Sequence, residues 1–254
     1  AVYGFGFVSF QSEYKGILVE LDLFVPMKHN LEIWNFKITN KSNEDVELSI
    51  YSYFEWCLGS SADHHREFHK TFIETHFDER LSAMLATKRL WEVPLRDRGH
   101  WNIEYPYYGY ISSNRKIVEC EGDKERFIGQ YGDLTNPQSL NQEKLSNTLG
   151  KWNDSIGTIR IKVAVKQNET EEAAFYLGID GDKEALESEK KSIEVAKKYI
   201  DESKKNYQSK EQIADALQNV KKFWNDYGKA LEVNTPDQSV NLLANVWLRY
   251  QAVA

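Results

Sequence analysis

The chain has 254 residues, of which 41% are hydrophobic and 28% charged, with a formal net charge of −7. That balance is ordinary for a globular protein, and its sign argues against a nucleic-acid surface. No run of about 18 apolar residues offers a membrane-spanning helix. The two cysteines, Cys57 and Cys120, are too few for a disulfide framework or a cysteine-built zinc site, so reduced intracellular thiols are the expectation.

The length suggests about two structural units. The 13% aromatic share, with 14 Tyr and 7 Trp, suits cores, interfaces or sugar-facing surfaces, and composition alone does not choose among them.

Residues 1–56 read as a β-meander. A strand over 4–10 leads to a turn at Lys15-Gly16, and residues 17–25 alternate Ile17, Val19, Leu21, Leu23 and Val25 with other side chains. Pro26 ends that strand because it lacks an amide to donate. Residues 31–39 form the next strand, and the polar cluster 40–45 turns the chain into another over 46–56. That last strand becomes apolar on both faces from Tyr51 to Trp56, which predicts entry into the middle of a packed sheet.

Gly59-Ser60-Ser61 then breaks the strand, and a loop dense in polar groups follows: Asp63, His64, His65, Arg66, Glu67, His69 and Lys70. Strand chemistry returns at Thr71 to Thr75. A polar loop held between apolar strands is how a rigid scaffold presents a site. His65 and His69 lie four apart, a ligand spacing only if the segment is helical. The surroundings read as loop and strand, so no metal is expected.

Farther on, short strands are expected over 81–87 and 116–121. Between them runs an aromatic stretch, residues 100–110, which packs against a neighbouring domain or forms a sugar platform. Residues 126–149 read as loop, and 158–165 and 172–178 as strands. At Gly181 the composition turns charged. Two amphipathic helices follow over 183–205 and 210–231, with Ile193, Ala196 and Ile200 on one stripe and Ile213, Ala216, Leu217, Val220 and Trp224 on the other. A third helix begins with Thr235 as N-cap and Pro236 at its first position, burying Val240, Leu243, Trp247 and Tyr250. Both ends of the chain interrupt a pattern, so it reads as a fragment of a longer protein.

The Glu55-Trp56-Cys57-Leu58-Gly59 strand, the Phe68-His69-Lys70 run, the Phe127-Ile128-Gly129-Gln130-Tyr131-Gly132 loop and the terminal TPDQSVNLLANVWLRYQ together resemble glycoside hydrolase family 94. These are inverting phosphorylases of β-linked glucosides, such as cellobiose, cellodextrin and laminaribiose phosphorylases. The resemblance implies a mainly β fold: an antiparallel β-sandwich (supersandwich) domain over 1–180, a helical linker over 181–233, and from 234 the first helix of an (α/α)6 catalytic barrel.

An inverting glycosidase needs one carboxylic acid for the leaving oxygen and a second carboxylate to activate water. A phosphorylase needs only the acid, because inorganic phosphate is the nucleophile. The resemblance places that Asp, and the phosphate cradle, in the barrel downstream. Trp152-Asn153-Asp154 and Trp224-Asn225-Asp226 spell part of such a motif without its context, so no catalytic residue is expected in this chain. The resemblance further implies a sugar-site role for His69 and Lys70, with Arg66 and Glu67 as additional candidates. Where relatives carry Gln-Arg, this chain has His-Lys, and a lysine offers a point charge in place of a planar fork. It also implies a β-gluco-oligosaccharide substrate with phosphate as co-substrate, no cofactor, a homodimer and a cytoplasmic location. The alternative is a non-catalytic carbohydrate-binding β-sandwich.

Overall fold

The computed structural model describes residues 1–59, 70–88, 92–95, 99–102, 105, 107–181, 189–229 and 232–253, with 92–95, 99–102 and 189–192 as backbone only. Thirteen strands lie among the described residues: β1 (Val2–Gly4), β2 (Phe7–Tyr14), β3 (Ile17–Phe24), β4 (Leu31–Asn40), β5 (Val46–Tyr51), β6 (Ile73–Asp78), β7 (Ala83–Lys88), β8 (Glu92–Leu95), β9 (Gly99–Asn102), β10 (Tyr107–Ser113), β11 (Ile117–Asp123), β12 (Ser155–Val165) and β13 (Thr170–Gly181). They form an eight-stranded antiparallel sheet, β1-β2-β3-β4-β13-β10-β7-β6, a three-stranded sheet, β11-β12-β5, and a separate β8-β9 ribbon.

The first four strands make the expected meander. Lys15 and Gly16 both adopt positive φ, 48° and 78°, the backbone of a two-residue turn whose twist matches the strands it joins. The meander stops at β4, however. After Asn40 the chain crosses to the smaller sheet, where β5 is an edge strand, not a central one. The apolar run that suggested a central position has other work. Trp56 and Leu58 are buried between the sheets, while Tyr53 packs on Phe127 with ring centroids 5.5 Å apart.

The centre of the large sheet, β4, β13, β10 and β7, is buried on both faces, and the period of two sorts its side chains. Ile38, Met84, Ala86, Ile111, Ala173 and Phe175 face the small sheet together with Ile159, Ile161 and Val163 of β12. Ile33, Ala83, Leu85, Tyr110, Ala174 and Tyr176 point the other way, into a second core. This is why β7, β10 and β13 read as nearly unbroken small or apolar runs, whereas β12 alternates Ile159, Ile161, Val163 and Val165 with Arg160 and Lys162.

The second core is closed by helices α2 (Glu189–Lys205) and α3 (Lys210–Gly228), which contribute Ile200, Ile213, Leu217 and Val220. Ser209 caps α3 and Gln212 reciprocates, a capping box. Both helices therefore pack on the sheet and share its core.

Two expectations are corrected here. Residues 126–149 are not loop throughout: α1 (Lys124–Ile128) and a 3-10 turn over Gln138–Asn141 bury Phe127, Ile128 and Leu145 in a third small cluster. The last helical stretch runs through α4 (Gln238–Leu242), a π-helical turn (Leu243–Trp247) and α5 (Leu248–Val253). Its N-cap is Asp237, whose side chain accepts from Ser239 N–H, because Thr235 is engaged with Asn241 instead. The stripe expected to be buried is half open, with Val240, Leu243 and Trp247 at 44%, 51% and 55% exposure. Tyr250 stacks on Trp224 with centroids 5.6 Å apart.

Candidate functional site

Of the four residues expected at a sugar site, Arg66, Glu67 and His69 lie outside the described residues, as do His64 and His65. Lys70 is described, and it opens a short 3-10 turn, Lys70–Phe72, that leads into β6.

Its surroundings are assembled from far along the sequence. Glu55, following β5, is bridged to Ile156 of β12. Asp154 sits one residue before β12, and its carbonyl accepts from the Lys124 amide at 3.0 Å, which brings the start of α1 alongside. The side chains close a ring of alternating charge. Lys70 Nζ donates to Glu55 Oε2 and lies 3.0 Å from Asp154 Oδ1. Lys124 Nζ donates to Glu55 Oε1 at 2.7 Å and lies 3.7 Å from Asp154 Oδ2. Tyr53 OH donates to Glu55 Oε1 at 3.3 Å.

Glu55 is thus the pivot between two ammonium groups. The hydrogen bonds from Lys124 and then Lys70 outweigh its burial and hold its carboxyl down at about 2. Burial works against the Lys70 ammonium, but Glu55 and Asp154 overcome it and raise its pKa. Lys124 is raised chiefly by its hydrogen bond to Glu55, and burial with the nearby Glu55 charge raises Tyr53.

Glu55, Lys70 and Lys124 therefore carry their charges near neutral pH. A carboxyl held near 2 is a poor proton donor at neutrality, so Glu55 serves the ring as an acceptor and counter-charge. It can hold one ammonium in a set position, from which remaining N–H bonds can reach a hydroxyl.

Beside the ring stands Trp152, 68% exposed and edge-on to Phe72 at 5.9 Å. Its φ of +69° is a conformation rarely adopted by a bulky residue. Among the described residues, two carboxyls that burial pushes upward, Asp180 to about 6 and Glu121, stand outside the ring.

The motif Trp152-Asn153-Asp154 thus supplies an ion-pair partner for Lys70. Asp226 of the second such motif lies near the end of α3 and, among the described residues, pairs with Lys229 at 3.6 Å. Of the aromatic run, Tyr108 and Tyr110 are buried, which removes them as a sugar platform. Tyr105 and Tyr107 pack edge to face at 5.4 Å. Among the described residues no group of three His, Cys, Asp or Glu side chains could hold a metal, and no helix is long and apolar enough to cross a membrane. Sequence reasoning singled out Lys70 but missed Glu55 and Lys124, which are 69 residues apart and carry no local signal.

The family model described as glycosyl hydrolase 94, supersandwich domain, matches residues 1–202. An N,N'-diacetylchitobiose phosphorylase of Vibrio proteolyticus is 26% identical over 98% of the chain and 28% of its own length. A solabiose phosphorylase of Paenibacillus borealis is 22% identical over 99% of the chain and 29% of its own length. A cyclic beta-(1,2)-glucan synthase, NdvB, of Rhizobium meliloti is 23% identical over 99% of the chain but 8% of its own length. The chain spans less than a third of these relatives.

Proposed function

The chain belongs to the glycosyl hydrolase 94 family, and from that premise we propose that the whole protein splits a β-linked gluco-disaccharide or oligosaccharide by phosphorolysis. The products are α-glucose 1-phosphate and the shortened sugar. What carries this reading is that two relatives matched over nearly the whole chain bear phosphorylase names.

Residues 1–180 form the sandwich domain, 181–233 the helical linker, and 234 onward the start of an (α/α)6 barrel that holds the general acid and the phosphate cradle. The half-open apolar helix from Gln238 onward supports that division, since a barrel would cover it. The protein needs no cofactor beyond phosphate as co-substrate, works in the cytoplasm and assembles as a homodimer. Within this chain Lys70 and His69, with Arg66 and Glu67, lend a loop to the acceptor-sugar site. The charge ring supports a role for Lys70 there, because a fixed ammonium loses less side-chain entropy on meeting a hydroxyl than a free one.

The experiment is to incubate the complete gene product with a panel of β-linked glucose disaccharides and inorganic phosphate. Phosphate-dependent release of glucose 1-phosphate is expected. Release of free glucose alone, or glucan synthesis from another glucosyl donor, would overturn the reading.

A further inference from the structure

The two sheets are unequal, and the mismatch leaves a groove. Among the described residues eight strands present their inner face to only three, and beyond β5 no described strand lies opposite the inner faces of β2 and β3. A groove of about 630 Å3 remains there, walled by Ile17, Val19, Phe36, Leu48, Ile50 and Leu140 among others.

Sheet edges invite pairing unless they are short, covered or charged. Two of the four edges of the sandwich are covered; at a third, β1 pairs only with Phe7–Ser9 of β2 and leaves Phe10–Tyr14 without a strand partner on that side among the described residues. On β6, Thr75 N–H donates to the Gly150 carbonyl at 3.0 Å. On β11, Gly122 N–H donates to the Thr148 carbonyl at 2.8 Å, and Cys120 N–H to Asn147 Oδ1 at 2.9 Å.

The fourth edge, β5, is open. Ser52 N–H donates to the Ile159 carbonyl at 3.1 Å and Gly157 N–H to the Phe54 carbonyl at 2.9 Å. The register of β5 on β12 continues from these pairs without a shift. Antiparallel alternation therefore turns the amides of Val46, Leu48 and Ile50 toward β12, and those of Glu47, Ser49 and Tyr51 outward. None of these three outward N–H or C=O pairs has a backbone partner among the described residues.

An apolar groove beside a free strand edge fits one kind of occupant: an extended segment with apolar side chains at alternate positions. We propose that a strand of the same polypeptide, from outside residues 1–254, adds to β5 as the fourth strand of the smaller sheet and fills the groove. Five residues suffice to pair from Glu47 to Tyr51, at about 3.3 Å each. A polypeptide of the relatives' length has ample further chain to supply them. A second copy of this chain is the poorer source. Antiparallel pairing through its own β5 would bring its overhanging β2 and β3 into the place that those of the first copy occupy. The inference holds whether or not the protein is a phosphorylase.

Site-resolved amide exchange on the complete protein tests it, with an internal control along β5. An added strand protects Glu47, Ser49 and Tyr51 as strongly as Leu48 and Ile50. In Glu47→Pro, whose ring blocks the incoming strand, Ser49 and Tyr51 are expected to exchange at least about 100-fold faster while Leu48 and Ile50 stay protected. Alternating fast and slow exchange in the unaltered protein would overturn the proposal. So would outward-facing protection that rises with protein concentration, the mark of a second copy. If Glu47→Pro does not fold, the wild-type pattern alone decides.

Discussion

Replacing Glu55 by Gln removes one negative charge at the pivot of the ring and leaves two ammonium groups facing a single carboxylate, Asp154. The geometry sets the size of the effect. Lowering the Glu55 pKa from 4.5 to about 2 corresponds, at 1.36 kcal/mol per pH unit, to a ceiling of about 3 kcal/mol. The side chain is 34% exposed, and solvent screens pairs of that kind, so a loss of about 1 kcal/mol is expected at pH 7. The sign of its pH dependence follows from linkage. A carboxyl depressed by folding contributes fully above 4.5 and loses its contribution as pH falls from 4.5 through about 2. Urea unfolding of Glu55→Gln and wild type at pH 7, 5, 4 and 3 is the assay. The difference in stability should be constant between pH 7 and 5 and then shrink. A difference that is absent at pH 7, or unchanged down to pH 3, would refute the claim that Glu55 is stabilised by its two lysines.

Ile161 is fully buried between the sheets, and Ile161→Ala is expected to cost about 2–5 kcal/mol, read as a lower urea midpoint with the slope unchanged. Asp180, which burial raises to about 6, behaves oppositely to Glu55. Its neutral form is favoured by folding, so its contribution is present below 3.8 and lost as pH rises through about 6. Asp180→Asn should therefore stabilise the chain by about 1–2 kcal/mol at pH 7.5 and leave it unchanged at pH 3.5. The 254-residue chain titrated with cellobiose or laminaribiose by calorimetry should bind no tighter than about 1 mM. Tighter binding would favour a stand-alone carbohydrate-binding module. Lys70→Ala in the complete protein should raise KM for the acceptor sugar in the synthetic direction more than it lowers kcat, as loss of a binding contact requires.

The class of the fold was legible because β12 and the β2–β3 hairpin carry strong local signals. Ile159, Ile161, Val163 and Val165 alternate, and Lys15-Gly16 marks its turn. The capping box Ser209-x-x-Gln212 was equally readable, although the amphipathic period was what located α3. Less legible was the place of β5. An apolar run on both faces reads as a central strand, but Tyr53 and Trp56 were apolar for contacts with Phe127 and the inter-sheet core; they follow the strand, which ends at Tyr51 and stands at an edge. The last helix misled similarly: its periodic stripe was real, but periodicity states that a face is apolar, not what covers it.

The candidate site divides in the same way. A polar loop between apolar strands identified Lys70 as a candidate, since that signal is contiguous. That Glu55, Lys124 and Asp154 meet Lys70 could not be found from the sequence, because ion pairs between residues 15 to 84 positions apart leave no local period. What the sequence determined by itself was the alternation of side chains, hence strands, hairpins and the change to helices after Gly181; these depend on neighbours along the chain. Which strand ends at an edge, which faces are doubly buried and which charges meet were decided only by tertiary structure, since each depends on which distant segment packs alongside.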